Sequence, residues 1–484
     1  MKSISHKFFI LFILFLFTIQ NIPAQQGKIK LFENYLEEYL YNKKVPSISA
    51  GVFRDGKIVW LGTKGFSDLE NNVVATNNTV YRIASISKPI TAVAIMQLYE
   101  KGLVDLDADA RTYIPSFPEK KWKFTVRQLL NHTSGIRNYK EGEFHSKTYY
   151  ASINEAIKVF AYDSLNFEPG TKYEYSSLAY SLLAAIVENV SKTSFEDYLI
   201  KNIFIPAEMQ NTYVDKQKEI IPNRARGYEK NYYREFINAP LADLSIKVAG
   251  GGLLSTSKDL LLFAKALLQG KLIKTSTLDI MIAKTKLKSG NTLDYGLGFA
   301  LSFKQDSLKA IYHIGSGTGF SSELYIDIRQ NLATVDLINI VDRNLGLPAE
   351  DLANIELGLT FNTPSKTISD ELMLVYRTAG IDSTINKFLQ ISNSNLNQFN
   401  LSENEVINFS KDLIGLNKIP DAIKYLKAIE GKYSKSFPYY VALADTYLKA
   451  QNEGLALKYY RNAYLLNKKD AYVNKMIDKL NKMK

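Results

Sequence analysis

An α/β chain of the α+β kind is predicted: an antiparallel sheet flanked by helices with a helical subdomain, followed by an all-α C-terminal repeat region. Three observations carry that expectation. Strand patterns occur at both ends of the first 361 residues with helical signals between them, the strand signal stops near Asn362-Thr363-Pro364-Ser365, and the tail recurs at a spacing of 34 residues. Strands separated by a helical stretch can share one antiparallel sheet when the two ends of the domain close it.

Taken in order, the apolar positions Leu31, Tyr35, Leu36 and Leu40 predict a helix over Ile29 to Tyr41. Alternating residues Ile48 to Phe53, an Asp55-Gly56 turn and Ile58 to Leu61 predict a β-hairpin. Leu103 to about Ile282 reads as helix and loop, with a three-glycine run at Gly250-Gly251-Gly252. Strand character returns at Leu297 to Phe303, Ile311 to Ile314, Leu324 to Ile328 and Ala333 to Ile340, the last two joined by Arg329-Gln330-Asn331. In the tail Ala422, Lys424 and Tyr425 recur as Ala456, Lys458 and Tyr459, and the small and aromatic positions around them resemble a tetratricopeptide repeat. Glu371 to Leu389 reads as a further helical unit.

Composition narrows the function. The chain has 484 residues, 46% apolar and 12% aromatic, enough for a large core. Its net charge of +11 comes from mixed-sign residues without long basic blocks, which argues against a nucleic-acid partner. With no cysteine, a disulfide framework, a thiolate nucleophile and an iron–sulfur cluster are excluded. The four histidines show no ligand spacing, and no metal or cofactor is implied. Lys2 and Lys7 precede the apolar run Phe8 to Phe17, followed by a polar break at Pro23-Ala24, which reads as a secretory signal peptide. The run is too short to span a bilayer, so a periplasmic or secreted protein with no transmembrane span after cleavage is expected. The expected organisation is a signal peptide over 1–24, one domain over 27–361, a linker over 362–368 and a helical tetratricopeptide-like domain over 369–484, which offers a surface for a protein partner.

Ser85-Ile86-Ser87-Lys88 precedes Pro89 and the apolar stretch Ile90 to Tyr99, so a helix begins within the motif. Residues three apart share a helix face, which lets the Ser85 hydroxyl and Lys88 amine meet. Burial would lower the Lys88 pKa and make it a base. Ser255-Thr256-Ser257-Lys258 has the same spacing but follows the glycine run and opens a second helix, where Ser and Thr are ordinary N-caps. Company distinguishes the two. Pro169-Gly170 leads to Tyr175-Ser176-Ser177, and Tyr312-His313-Ile314-Gly315-Ser316-Gly317 reads as a strand ending in small residues where a ligand could approach.

These elements, with Leu129-Leu130-Asn131-His132-Thr133-Ser134-Gly135, Gly251-Gly252-Leu253-Leu254-Ser255-Thr256 and Tyr295-Gly296-Leu297-Gly298, resemble serine hydrolases of the class C β-lactamase and penicillin-binding protein type. The resemblance spans Ile29 to about Phe361 and implies the β-lactamase/transpeptidase-like fold. It implies Ser85 as nucleophile, Lys88 as its proton partner and Tyr175 as base. It further implies backbone N–H groups of Ser85 and Ser316 as oxyanion hole, and Ser177, His313 and Gly315 at the substrate. His132 reads as part of a structural loop, and His145 has no motif around it. Ser177 stands where the family has Asn, so contacts to Lys88 are expected to be lost or bridged by water. His313 stands where the β-lactamases have Lys, and an ordinary imidazole pKa of ~6.5 would make carboxylate binding rise as pH falls through that value.

The expected function is an exported serine hydrolase that forms an acyl-enzyme on Ser85. Its expected substrates are D-amino-acid peptides or peptidoglycan-type amides, as in D-alanyl-D-alanine carboxypeptidases and D-aminopeptidases, or β-lactams. A promiscuous carboxylesterase or acyltransferase on the same fold is the alternative. From another class, the rival is a non-catalytic binding protein with a partner-recruiting tail.

Overall fold

Seven strands, drawn from both ends of the predicted first domain, lie side by side in one sheet of the computed structural model, which describes residues 25–394 and 398–482. The expected signal peptide over 1–24 lies outside the described residues. Helix α1 (residues 25–43) leads into β1 (Ser47–Arg54) and β2 (Lys57–Asp68). Asp55 and Gly56 both have positive φ, +47° and +85°, the backbone of a two-residue hairpin turn whose twist matches its strands. A short β3 (Val73–Val74) follows, then β4 (Ala300–Lys304), β5 (Ser307–Gly317), β6 (Phe320–Asp327) and β7 (Leu332–Ile338). The order is β4-β5-β6-β7-β1-β2-β3, every pairing antiparallel, and β1 pairs with β7 to join the N-terminal hairpin to the C-terminal strands.

Side-chain alternation explains the layers. Val52, Trp60 and Thr334 are register partners on one face, and Gly51, Leu61 and Val335 on the other. Phe32 of α1 stacks on Trp60 at 4.8 Å, and Thr334 donates to the Ala349 carbonyl, so α1 and a helix over Ala349–Leu357 cover the first face. The second face is covered by the helix Ser257–Leu268, whose Leu261 lies over Gly51. Covered on both sides, β1, β6 and β7 are buried almost end to end. The helices between the two halves of the sheet form the expected helical lobe; α2 (Ser87–Glu100) runs through the main hydrophobic cluster and is apolar around nearly its whole circumference.

One buried feature carries a stability prediction. Glu323 on β6 and Asp336 on β7 are cross-strand partners, 7% and 0% exposed. Burial raises both pKa values, Glu323 to about 8, and Glu323 repels a charge on Asp336. Native pKa values above the unfolded ones mean that the folded chain holds more protons between pH ~4.5 and about 8, so stability falls as pH rises through that window. Urea unfolding is expected to show a lower midpoint at pH 8.5 than at pH 5.5, and Asp336→Asn to flatten the difference. Equal wild-type midpoints at the two pH values would contradict the assignment.

The described chain divides into two units. The second holds residues 364–484 together with Glu229–Ile237 and Asp342–Leu345, two segments whose sequence positions fall inside 27–361. Within it Lys230 and Arg234 meet Asp342 and Asp370 in a buried ionic cluster at 2.6–3.2 Å. Helices Ile419–Tyr433 and Phe437–Lys449 are followed by Glu453–Leu466 and Ala471–Lys482, each starting 34 residues after its counterpart. The recurring Ala422, Tyr425, Ala456 and Tyr459 are all buried. No helix among the described residues is long and apolar enough to cross a membrane.

Candidate active site

The short strand Tyr81–Arg82 pairs with Leu254–Ser255 and delivers the chain to a tight turn, Ala84–Ile86, from which α2 departs. Ala84 adopts φ +43°, a left-handed conformation that a residue with a Cβ holds only under constraint from its surroundings. The constraint is visible: the Ser87 hydroxyl donates to the Ala84 carbonyl at 2.7 Å and accepts the Leu253 N–H at 3.2 Å. Ser85 is thereby held at the head of a buried helix with Lys88 one turn later.

Lys88 is fully buried and its Nζ lies 3.0 Å from Ser85 Oγ, 3.0 Å from Ser177 Oγ and 2.5 Å from the Gly250 carbonyl. It also sits 4.6 Å from the centre of the Tyr175 ring. Burial holds its pKa well below that of an ordinary lysine, with repulsion from Lys247 adding to the effect. A neutral amine has two donors and one lone pair, and the three neighbours match that count. Gly250 accepts one proton and Ser177 the other, leaving the lone pair to face Ser85. The expected loss of the Lys88 contact at Ser177 does not occur; the serine hydroxyl reaches Lys88 directly, without a bridging water.

Ser177 opens the helix Ser177–Ser191, capped by the Ser176 side chain. The Asn138 side chain accepts the Ser177 N–H at 3.1 Å, and Tyr139 hydrogen-bonds with the Ser177 hydroxyl. Tyr175 shares a hydrogen bond with Ser85, and burial raises its pKa, so its phenol keeps its proton. Ser85, Ser177, Ser316, Tyr139, Phe144 and Lys247 line one cleft. Gly315 lies beneath the cleft: a Cβ there would overlap the Ile83 carbonyl and Ser322 Oγ.

Behind Tyr175 runs a buried relay. The Ser176 N–H donates to His132 Nδ1 at 3.2 Å, His132 Nε2 lies 3.2 Å from the Tyr295 hydroxyl, and that hydroxyl lies 3.1 Å from His313 Nε2. His313 Nδ1 meets the Ile314 carbonyl at 2.8 Å. A carbonyl only accepts and a backbone N–H only donates, so the end partners place the proton of His132 on Nε2 and that of His313 on Nδ1. Burial keeps His132 well below the usual imidazole pKa and brings His313 to about 3. His313, expected at the substrate, is 5% exposed, has both nitrogens engaged and is not among the residues lining the cleft. The expected titration near pH ~6.5 therefore does not belong to His313, because desolvation has moved it out of that range. His132 adopts φ +61°, and His145 binds Thr318 Oγ1 at 3.2 Å.

Sequence reasoning missed four residues of the site. Ser87 was legible from its place on the first turn of α2. Asn138, Tyr139 and Lys247 come from loop or single-turn segments with no periodic signal. Among the described residues, no group of three or more His, Asp or Glu converges at a spacing suited to a metal ion.

An antiparallel sheet closed by both ends of its domain, a helical lobe, a serine on the turn that leads into a buried helix and a lysine on that helix's first turn define the class of active-site serine hydrolases built on Ser-x-x-Lys. The chain belongs to the Beta-lactamase family, whose model of that description matches residues 32–358. It is 34% identical over 294 residues to the serine beta-lactamase-like protein LACTB, mitochondrial, of Homo sapiens, covering 46% of this chain and 54% of that protein. The match therefore spans about half the length of that relative. Penicillin-binding protein 4* of Bacillus subtilis (strain 168) is 30% identical over 319 residues, covering 62% of this chain and 69% of that one. A solved structure of a D-stereospecific amidohydrolase from Streptomyces sp. aligns with a TM-score of 0.54 at 26% identity, over 63% of this chain and 93% of that chain.

Proposed function

We propose that the chain is an exported serine acyl hydrolase acting on amides or esters of D-amino-acid peptides or peptidoglycan fragments, with β-lactams entering the same acylation step. The observation that carries this reading is the buried Lys88 amine 3.0 Å from Ser85 Oγ, its pKa held well below that of an ordinary lysine by desolvation. Similarity to a penicillin-binding protein and a D-stereospecific amidohydrolase supports the substrate class, and the apolar run Phe8 to Phe17 supports export.

Lys88 takes the Ser85 proton as Oγ bonds to the substrate carbonyl carbon. The backbone N–H groups of Ser85 and Ser316 face the oxyanion. The C–N or C–O bond to the leaving group then breaks, and Tyr175 protonates the departing atom. Water attacks the acyl carbon and gives its proton to the Tyr175 phenolate; the bond to Ser85 Oγ then breaks, Lys88 returns its proton to Oγ, and the acid leaves with all three groups restored. In this scheme Lys88 is the base and Tyr175 the acid, the reverse of the expected role for Tyr175. Burial has opposite effects on an amine and a phenol, favouring the neutral form of each.

The test is intact-protein mass spectrometry after a fluorophosphonate and, separately, benzylpenicillin, with peptide mapping of the adduct. A fluorophosphonate adduct on Ser85 is expected. A long-lived penicilloyl adduct would mark a peptidase, and rapid penicillin hydrolysis a β-lactamase. Folded protein that takes up neither reagent would overturn the hydrolase reading in favour of a binding protein.

A further inference from the structure

We propose that Lys247 is the specificity-determining cation of the cleft: it binds a free carboxylate on the substrate, so that the preferred acyl donors carry one. This rests on the hydrolase reading above and names its substrate class more narrowly.

Lys247 ends the short turn Ser245–Lys247, is 4% exposed, and lines the cleft that holds Ser85, Ser177 and Ser316. Its Nζ donates to the Phe144 carbonyl at 2.7 Å and lies 3.9 Å from the centre of the Phe144 ring and 5.0 Å from that of Tyr139. Among the described residues no carboxylate pairs with it. An unpaired buried ammonium is costly, and an incoming anion relieves that cost. The family position on β5 cannot supply the charge here, because His313 is neutral and bonded away from the cleft.

The surrounding charges leave the place open for an anion. Arg82 is held by Asp215 at 2.6 Å, and burial holds the Lys88 pKa well below that of an ordinary lysine. Asp243 spends Oδ1 on the Ser245 N–H and hydroxyl. Glu155, on the helix Ile153–Lys158 packed against this turn, accepts the Ala151 N–H, and Glu188, on the helix Ser177–Ser191, accepts the Phe195 N–H. Burial and the Arg82 charge bring the Lys247 pKa down to about 7. The cation is therefore present at pH 6 and largely absent at pH 8.

The experiment compares kcat/KM for two substrates of the full chain. One is an N-acetyl-D-alanyl ester of D-lactate with its carboxylate free, the other the same ester with that carboxylate capped as a methyl ester. In the ratio, pH effects on Lys88 and Ser85 cancel. The wild-type ratio is expected to fall about tenfold from pH 6 to pH 8, following a group of pKa about 7. Lys247→Met should leave a low ratio that no longer changes with pH. Lys247→Arg, permanently charged, should hold the ratio high at pH 8. A wild-type ratio that stays constant from pH 5.5 to 8.5, a reading that needs no variant, overturns the inference, as does an unchanged ratio in Lys247→Met. Hydrolysis of both esters with a flat ratio rejects Lys247 alone. Hydrolysis of neither, with no adduct on Ser85, rejects the hydrolase reading as well.

Discussion

Ser85→Ala is expected to lower kcat/KM by at least about 10⁴-fold on any substrate the chain turns over, because the alanine has no atom to carry the acyl group. Ser255→Ala is expected to leave kcat/KM within a factor of about three of wild type. The two serines share the same spacing to a lysine but not the same surroundings. Ser255 lies on a strand, is completely buried and bonds to Thr212 Oγ1 at 2.8 Å. Lys258 lies on the next helix and points to solvent, and that helix is capped by Thr256 accepting the Asp259 N–H. Losing the Ser255 hydroxyl costs about one hydrogen bond, ~1 kcal/mol of stability, and no chemistry. Progress curves of both variants, with circular dichroism to show folding, decide the matter. Activity surviving in Ser85→Ala and lost in Ser255→Ala would move the site to the other motif.

Gly315→Ala is expected to cost about 100-fold in kcat/KM while the chain still folds. The added Cβ would overlap the Ile83 carbonyl and Ser322 Oγ and press on Ala84 at 3.3 Å. The Ile83 carbonyl already accepts the Ser322 hydroxyl at 2.9 Å, so neither group has room to move alone. Relief requires β5 to shift away from the Ala84–Ile86 turn, separating Ser316 from Ser85. A displacement of about 1 Å between nucleophile and oxyanion donors is enough for a loss of that size. The loss should fall on kcat and on the rate of fluorophosphonate labelling alike. Wild-type labelling in a folded Gly315→Ala chain would show that the strand and the turn are not rigidly coupled.

Much of the frame was legible because it depends on local geometry. Asp55-Gly56 predicted a two-residue hairpin, since few residue pairs accept positive φ twice in succession. Thr256 marked a helix start because its side chain satisfies an N–H group that the helix leaves free. The separation of Ser85 and Lys88 followed from the pitch of a helix. Even Ser177, unusual for the family, keeps the Lys88 contact that a shorter side chain was expected to lose.

What the sequence determined by itself was which residues could act and how far apart they lie along an element, because helix pitch, strand alternation and turn chemistry are properties of short stretches. The tertiary structure decided which of them share an environment. Loops far apart in sequence bring Tyr139, Asn138 and Lys247 to Ser177 and Ser85. The sheet turns His313 into a relay with Tyr295 and His132, where burial removes its charge. The same burial frees the Lys88 lone pair and fixes the Tyr175 proton. Desolvation depends on every group packed around an atom, so it exists only once the chain has folded.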